Sequence, residues 1–311
     1  MIPILELLQN YNPKSNSENF EFYSVIIEKG DTLRVITNKL YDIGLIKNKE
    51  VFQLFATLYN YDKSIKSGHY KISSVLSIKE ILKKLNTGEV IQNRITIPEG
   101  MTNSIIFETL INNELLSGAL DLSDFPKEGY LAPDTYFYEK GEKRISLLNR
   151  IRKAQSKKIV DIWGKRTNNN ILNSTHELVI LASIIEKESG NYDELDLISS
   201  VLHNRLRKKM RLQADPTVIF GITMGKGNLN RALTKSDLRK HSDYNTYTIN
   251  GLPPNPICNP GEAALKAAAN PLNSKFYYYV SNSKGGHFFS MNLEEHNKNV
   301  RLYKSLKNRS N

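Results

Sequence analysis

The chain carries a single cysteine, Cys258, among its 311 residues. An intramolecular disulfide is therefore excluded, and so is a thiolate-rich metal site. Low cysteine use fits either side of a bacterial inner membrane. No apolar run approaches the ~18 residues a helix needs to span a bilayer. The opening Met1-Ile2-Pro3-Ile4-Leu5-Glu6-Leu7-Leu8 is short and lacks a preceding basic stretch, so it does not read as a signal peptide. It reads either as a first helical turn or as the edge of a removed anchor. Zinc-finger spacings, leucine heptads behind a basic region and an RNP-like aromatic motif are all missing, which leaves charge alone to suggest nucleic acid. There is no serine-nucleophile elbow and no dinucleotide glycine fingerprint. Lys284-Gly285-Gly286 puts its lysine on the wrong side of the glycines for a phosphate loop.

What is present is an ordinary globular composition, 40% apolar and 24% charged. The length suits about two domains of ~100–200 residues each. The net charge is +11. Such a surface favours polyanions, whether nucleic acid, anionic cell-envelope polymers or lipid headgroups, and charge alone does not choose among them.

Along the chain, residues 8–19 are polar and read as a flexible lead-in, assigned to 1–19. Phe20 to Ile27 is strand-like, and Glu28-Lys29-Gly30-Asp31 makes a turn. Leu33, Ile36, Leu40 and Ile43 then fall at helical spacing, with Gly44 as the expected C-cap. A helix follows over about 49–60, then a short strand near Tyr70 and Ile72. Ser77 and Glu80 have the spacing of a capping box, Gly88 ends that helix, and Val90 to Ile97 reads as a strand. Residues 20–97 thus form a small α+β module. From 98 the pattern changes: a helix through Ile105 to Leu116, a Pro- and Gly-punctuated loop over 128–136, and a basic helix over 144–162. Ser174 and Glu177 suggest another capping box. It opens a helix that is apolar almost all round from Leu178 to Ile185, so it should be central to a core, and it stops at Gly190. A helix over 194–209 follows. Residues 211–300 read as loops and short strands, with Phe276 to Val280 a dense β-former run.

Chemistry concentrates at a few places. Glu186 and Glu188 end the buried helix, about 200° apart, so they cannot face one another. A carboxyl buried at the apolar end of a helix has a raised pKa, as a general acid at neutral pH requires. Both sides of this helix are apolar, so periodicity does not choose between the two, and a pair of solvated end-of-helix charges fits as well. Asp215, before Pro216, is either a second carboxylate or the anchor of a turn. Tyr244-Asn245-Thr246-Tyr247 and Gly251-Leu252-Pro253-Pro254 set rings beside amides, as a sugar cleft or a packed loop would. His287 after two glycines, Glu295 and His296 could in principle supply a metal site if they converged, but the favoured reading is that His287 bonds a nearby carboxylate or substrate.

Long motifs in this order resemble the MltG/YceG-like family of endolytic peptidoglycan transglycosylases, from about residue 22 to 305. They are Glu128-Gly129-Tyr130 with Pro133-Asp134-Thr135-Tyr136; Leu181 through Glu188; Asn204-Arg205-Leu206; Met210 through Gln213; Asp215 through Ile219; Tyr244 through Tyr247; Gly251 through Pro254; and Gly285-Gly286-His287 with His296-Asn297. The resemblance implies a LysM-like N-terminal module (20–97) and a mixed, helix-rich catalytic domain (98–311). It implies that Glu188 is the catalytic acid and base, and that Glu128, Gln213, Asp215, Tyr244, Asn245 and His287 meet substrate. The implied reaction cuts the MurNAc-β-1,4-GlcNAc bond without water, leaving 1,6-anhydroMurNAc ends. No metal or organic cofactor is implied. Peptidoglycan strands, and with them cell-wall synthases, are the implied partners; nucleic acid is not. The implied location is the extracytoplasmic face of the inner membrane, with membrane contact through an N-terminal anchor that this chain lacks. Hydrolysis by Glu188 with Asp215, and a non-catalytic peptidoglycan-binding scaffold, are the alternatives. Two departures stand out: Asn255 where the family commonly has glycine, expected to tighten or tilt its loop without abolishing catalysis, and Ala132 where an aromatic is frequent, expected to remove a sugar contact.

Overall fold

A computed structural model describes residues 21–168 and 170–309. The lead-in expected over 1–19 lies outside the described residues. The fold is α+β, with two-stranded sheets among the described residues. The chain divides into two compact units. The first runs up to Arg94 and takes in Phe137–Glu142; the second comprises Ile95–Tyr136 and everything from Lys143 on.

The first unit is built from β1 (Phe22–Ile27), α1 (Leu33–Asp42), α2 (Lys49–Leu58), β2 (Gly68–Ser73) and α3 (Ile78–Thr87). β1 and β2 pair antiparallel, Phe22 opposite Ser73 and Ile27 opposite Gly68. Alternation along these strands turns Val25, Ile27, Tyr70 and Ile72 inward against Leu40, Phe52 and Phe55. The buried Tyr70 hydroxyl is satisfied by the Lys66 and Leu85 carbonyls at 2.7 and 3.2 Å. α3 has the capping box its sequence predicts, and Gly88 closes it at φ 77°. α1 is capped one residue earlier than expected, by Ile43, and Gly44 then takes the left-handed turn at φ 74°.

β3 (Asn93–Ile97) begins three residues later than its apolar run suggests, because the Ile91 N–H goes to the His69 carbonyl at 2.6 Å. It pairs with β4 (Asp134–Tyr138), a strand whose first three residues lie in the 128–136 segment that the Pro and Gly signals make largely loop-like. Four consecutive β-formers, Thr135 to Tyr138, outweigh those signals locally.

The second unit contains α4 (Asn103–Ile111), α5 (Arg144–Gly164), α6 (Thr175–Glu188), α7 (Leu195–Arg207), α8 (Asp215–Thr223), α9 (Lys235–Arg239), α10 (Glu262–Ala269), β5 (Tyr278–Ser281), β6 (His287–Ser290) and α11 (Leu293–Arg309). α4 stops at Asn112, short of the expected Leu116, where Asn113 opens a turn. α6 is the centre: every residue from Leu178 to Ile185 is buried. It packs against α5, α7, α8 and α10, and the alanines of α10 (Ala264, Ala267, Ala268) allow a close approach. Ser174 caps α6 by accepting from the Glu177 N–H at 3.1 Å, but the Glu177 carboxylate turns to the Asn173 N–H at 2.8 Å, so the reciprocal half of the box is made one residue early. The helix ends at Glu188, with Ser189 extended as its cap, before Gly190 is reached.

Residues 211–300 are more helical than their sequence suggests. α8 starts at Asp215-Pro216, which reads as a break; proline in the first turn has no N–H to lose there, and aspartate suits the positive end of the helix.

Candidate active site

Glu188 is the last residue of α6, partly buried, where the helix emerges from the core that encloses Leu178 to Ile185. Burial pushes its carboxyl up to about 7, the neighbouring negative charge of Asp215 adds to the rise, and a hydrogen bond with Tyr279 and the Arg205 charge oppose it. Near neutral pH this carboxyl is therefore present both as acid and as base, the condition for proton transfer in either direction. Its environment comes from three separate stretches of chain: the α8 entry, the 242–248 loop and β5.

Two buried threonines fix the first two stretches together. The Thr217 and Thr246 hydroxyls meet at 2.9 Å, the Ala214 N–H donates to Thr246 at 2.9 Å, and the Gln213 N–H donates to the Thr246 carbonyl at 3.2 Å. Gln213 takes φ 50°, an uncommon conformation for this residue type, and its side chain is left exposed. This junction brings the Tyr247 hydroxyl onto Asp215 at 2.6 Å. Arg205, buried on α7, fixes the third stretch. It donates to the Tyr277 carbonyl at 2.7 Å and to the Leu212 carbonyl at 2.7 Å, and so ties β5 to the loop ahead of α8.

β5 carries Tyr279 opposite Phe289 of β6, and His287, diagonally across, lies on the same face. The His287 and Tyr279 rings meet edge to face at 5.4 Å. Glu194 holds His287 twice, accepting its backbone N–H at 3.0 Å and bonding Nδ1 at 2.7 Å. A chain of contacts thus runs from Glu194 through His287 and Tyr279 to Glu188.

The two glutamates of α6 diverge as their spacing requires. Glu186 turns away and accepts the Gly261 N–H at 2.9 Å ahead of α10; burial raises its carboxyl also. The remaining candidates divide. Asp215 is with Glu188. Gln213 lies two residues away in sequence with a free side chain. His287 reaches Glu188 only through Tyr279. The Tyr244 ring packs against Phe220 with centroids 4.9 Å apart and planes tilted by 52°, and its hydroxyl accepts from Asn255 at 3.4 Å. Asn245 is buried and fully engaged: its amide donates to the Asp237, Leu238 and Lys240 carbonyls, and its oxygen accepts the Tyr247 N–H. Glu128 has a different setting, accepting from the Asn103 N–H at 3.0 and 3.1 Å and from the Asn259 amide at 3.1 Å; burial pushes it up to about 7. Ala132 is 0% exposed, so an aromatic there would enter the core and the expected loss of a sugar contact does not follow. Glu295, weighed above as a metal ligand, accepts the Met291 N–H at 2.9 Å at the start of α11.

Sequence reasoning did not single out Arg205, Tyr279 or Glu194. Arg205 is a charge in the last turn of an amphipathic helix, where a cation is ordinary, and only its 7% exposure marks it as unusual. Tyr279 was visible as part of an aromatic strand, but the face it occupies depends on the register with β6.

A partly buried carboxyl with a near-neutral pKa, a second carboxylate beside it and tyrosines on both defines a general-acid site carried on an α+β scaffold. The chain matches the model of the YceG-like family over residues 25–302, and it belongs to that family. An endolytic murein transglycosylase of Bacillus subtilis (strain 168) is 30% identical over 314 residues, covering 92% of this chain and 86% of that protein. One from Streptococcus pneumoniae (strain D39) is 26% identical over 90% of this chain, which spans only 58% of the pneumococcal protein. A crystal structure of a yceG-like protein from Listeria monocytogenes aligns with TM-score 0.54 at 30% identity, covering 90% of this chain and 99% of that one.

Proposed function

We propose that the protein is an endolytic murein transglycosylase that cuts the MurNAc-β-1,4-GlcNAc bond within peptidoglycan strands and leaves 1,6-anhydroMurNAc ends. The observation that carries this reading is the Glu188 carboxyl, raised to about 7 and flanked by Asp215 and Tyr279. The family membership and the relatives' shared activity support it.

Protonated Glu188 gives its proton to the glycosidic oxygen as the bond to muramic C1 breaks. The resulting carboxylate then takes the proton of the C6 hydroxyl, whose oxygen closes on C1. One carboxyl serves both steps and is restored at the end. Asp215, held by Tyr247, supplies negative charge to the oxocarbenium-like transition state. Tyr279 orients Glu188, and Glu194 with His287 supports Tyr279. Gln213 and Tyr244 present an amide and a ring to the sugars. In this reading Asn245 acts by shaping the loop that carries Tyr247, and Glu128 by bracing the segment around Asn103 and Asn259.

The strand–helix–helix–strand order of the first unit supports a LysM-like glycan-binding role for the 20–97 module, ahead of a catalytic domain over 98–311. Among the described residues no helix is long and apolar enough to cross a membrane. Action at the extracytoplasmic face of the inner membrane, beside cell-wall synthases and through an N-terminal anchor, completes the proposal.

A second reading is hydrolysis, with Asp215 directing water at C1. It draws support from the exposure of Asp215 and from the effect of its charge on Glu188. Mass spectrometry of uncrosslinked strands after incubation separates the two. Internal fragments with 1,6-anhydro ends from the wild type, absent with Glu188→Gln, are expected. Reducing muramic ends favour the hydrolase. Folded wild-type protein that cleaves no strand contradicts both.

A further inference from the structure

Beside the proposed active site lies an open pocket of about 350 Å³, lined by Arg211, Lys235, Leu238, Arg239, Tyr247 and Thr248. Three of its six lining residues are cations. Arg211 has one guanidinium N–H on the Tyr247 carbonyl at 2.9 Å. Lys235 and Arg239 are exposed and make no ion pair among the described residues. The nearest carboxylate in sequence, Asp237, is turned to Arg231, with contacts of 2.6 and 2.9 Å, and caps α9 through Thr234, so it does not neutralise them. Its burden of hydrogen bonds and the Arg231 charge hold its carboxyl far below the usual range.

Tyr247 is shared between this pocket and the proposed catalytic pair. It lines the pocket, its backbone carbonyl holds Arg211, and its hydroxyl bonds Asp215 at 2.6 Å. A saccharide whose bond reaches Glu188 therefore has its neighbouring substituents one tyrosine away from three cations. Neutral sugar hydroxyls give such a cluster nothing to bind that water does not, whereas an oxyanion gains charge-assisted hydrogen bonds from guanidinium and ammonium groups.

We infer that this pocket is a subsite for an anionic substituent of the glycan strand, a carboxylate or phosphate group carried on a sugar next to the cleaved bond. The inference rests on the proposed glycan-cleaving function and adds a selectivity to it: strands bearing the anion are preferred over bare ones. Two substituents offer this chemistry, the free carboxylates of peptide stems and a phosphate ester on the sugar.

The test uses the whole chain in two forms, catalytically competent and Glu188→Gln, each with and without the pair Lys235→Gln and Arg239→Gln. Three probes are compared by fluorescence anisotropy: strands with peptide stems, strands stripped of stems by an amidase, and stripped strands carrying a sugar phosphate. Two exposed charge contacts are expected to be worth about tenfold in affinity. The Lys235/Arg239 variant should lose that factor on one or both anionic probes and change less than about twofold on stripped strands. Loss on the stem-bearing probe alone identifies a carboxylate; loss on the phosphate probe alone identifies a phosphate ester. The same substitutions in the competent form should raise KM for the anionic strand and leave cleavage of stripped strands unchanged. Equal loss on all three probes, or on none, overturns the subsite. Because binding is read in Glu188→Gln, the subsite is judged even if the competent protein cleaves nothing, which would instead refute the proposed function.

Discussion

Opposite shifts of one pKa by two conservative substitutions test the reasoning about Glu188 most directly. Its carboxyl stands at about 7 against an ordinary value of 4.5. Burial is the leading cause, the Asp215 charge the second, and the Tyr279 hydrogen bond pulls the other way. Asp215→Asn removes a like charge and should lower the midpoint by about one pH unit, equivalent to ~1.4 kcal/mol. At pH 7 the protonated fraction would drop from about a half to about a tenth. Tyr279→Phe removes a donor to the carboxylate and should raise the midpoint by a similar or smaller amount. The assay is a pH–rate profile of kcat/KM on stripped strands, whose alkaline limb reports loss of the acid form, backed by 13C NMR of the Glu188 carboxyl. Two variants moving the midpoint in the same direction, or Asp215→Asn leaving it in place, would refute the electrostatic account. Stability should move with it. A carboxyl whose folded value exceeds its unfolded one keeps its proton longer in the folded state, so folding is favoured most below about 4.5 and weakens as pH rises to about 7. Glu188→Gln should remove this part of the pH dependence.

Three further outcomes are expected. Glu194→Gln removes the anion that holds His287 and should lower kcat between about 10- and 100-fold with little change in KM, as a misaligned acid would; an unchanged kcat contradicts the proposed support of Tyr279. Asn245→Ala breaks three bonds to carbonyls and one from Tyr247, and urea unfolding should show a loss of about 2–3 kcal/mol. A raised KM at unchanged stability would return Asn245 to direct substrate contact. Gly129→Ala places a Cβ 2.7 Å from Val179 and 2.8 Å from Pro256 at φ 91°, and should cost about 2–4 kcal/mol, seen as a lowered Tm.

Where local chemistry dominates, the sequence was readable. The capping box at Ser77 and Glu80, the stop at Gly88 and the all-round apolar body of α6 need no distant partner, and each stands where the spacing puts it. β4 was hidden because Pro133 and Gly129 punctuate a segment whose pairing partner lies some forty residues earlier. The short helices α8, α9 and α10 were hidden because five to nine residues give periodicity too little length to register. Of the two glutamates on α6, spacing established that they diverge, but which one meets Asp215 depends on where α8 begins. Arg205 and Glu194 were out of reach for the same reason: their partners are main-chain atoms and a histidine brought near by tertiary packing.

Arg205 has a kinetic consequence. Its guanidinium joins residue 205 to residues 212 and 277, while Glu188 waits for Tyr279, more than ninety residues downstream. The contacts to residue 277 and to Tyr279 are high-contact-order closures, and such closures come late in folding because loop entropy is spent before they form. Helix content can therefore be regained while the proton-transfer centre is still open. In refolding from urea, recovery of far-ultraviolet ellipticity should run ahead of recovery of catalysis, and the interval between them times the docking of β5.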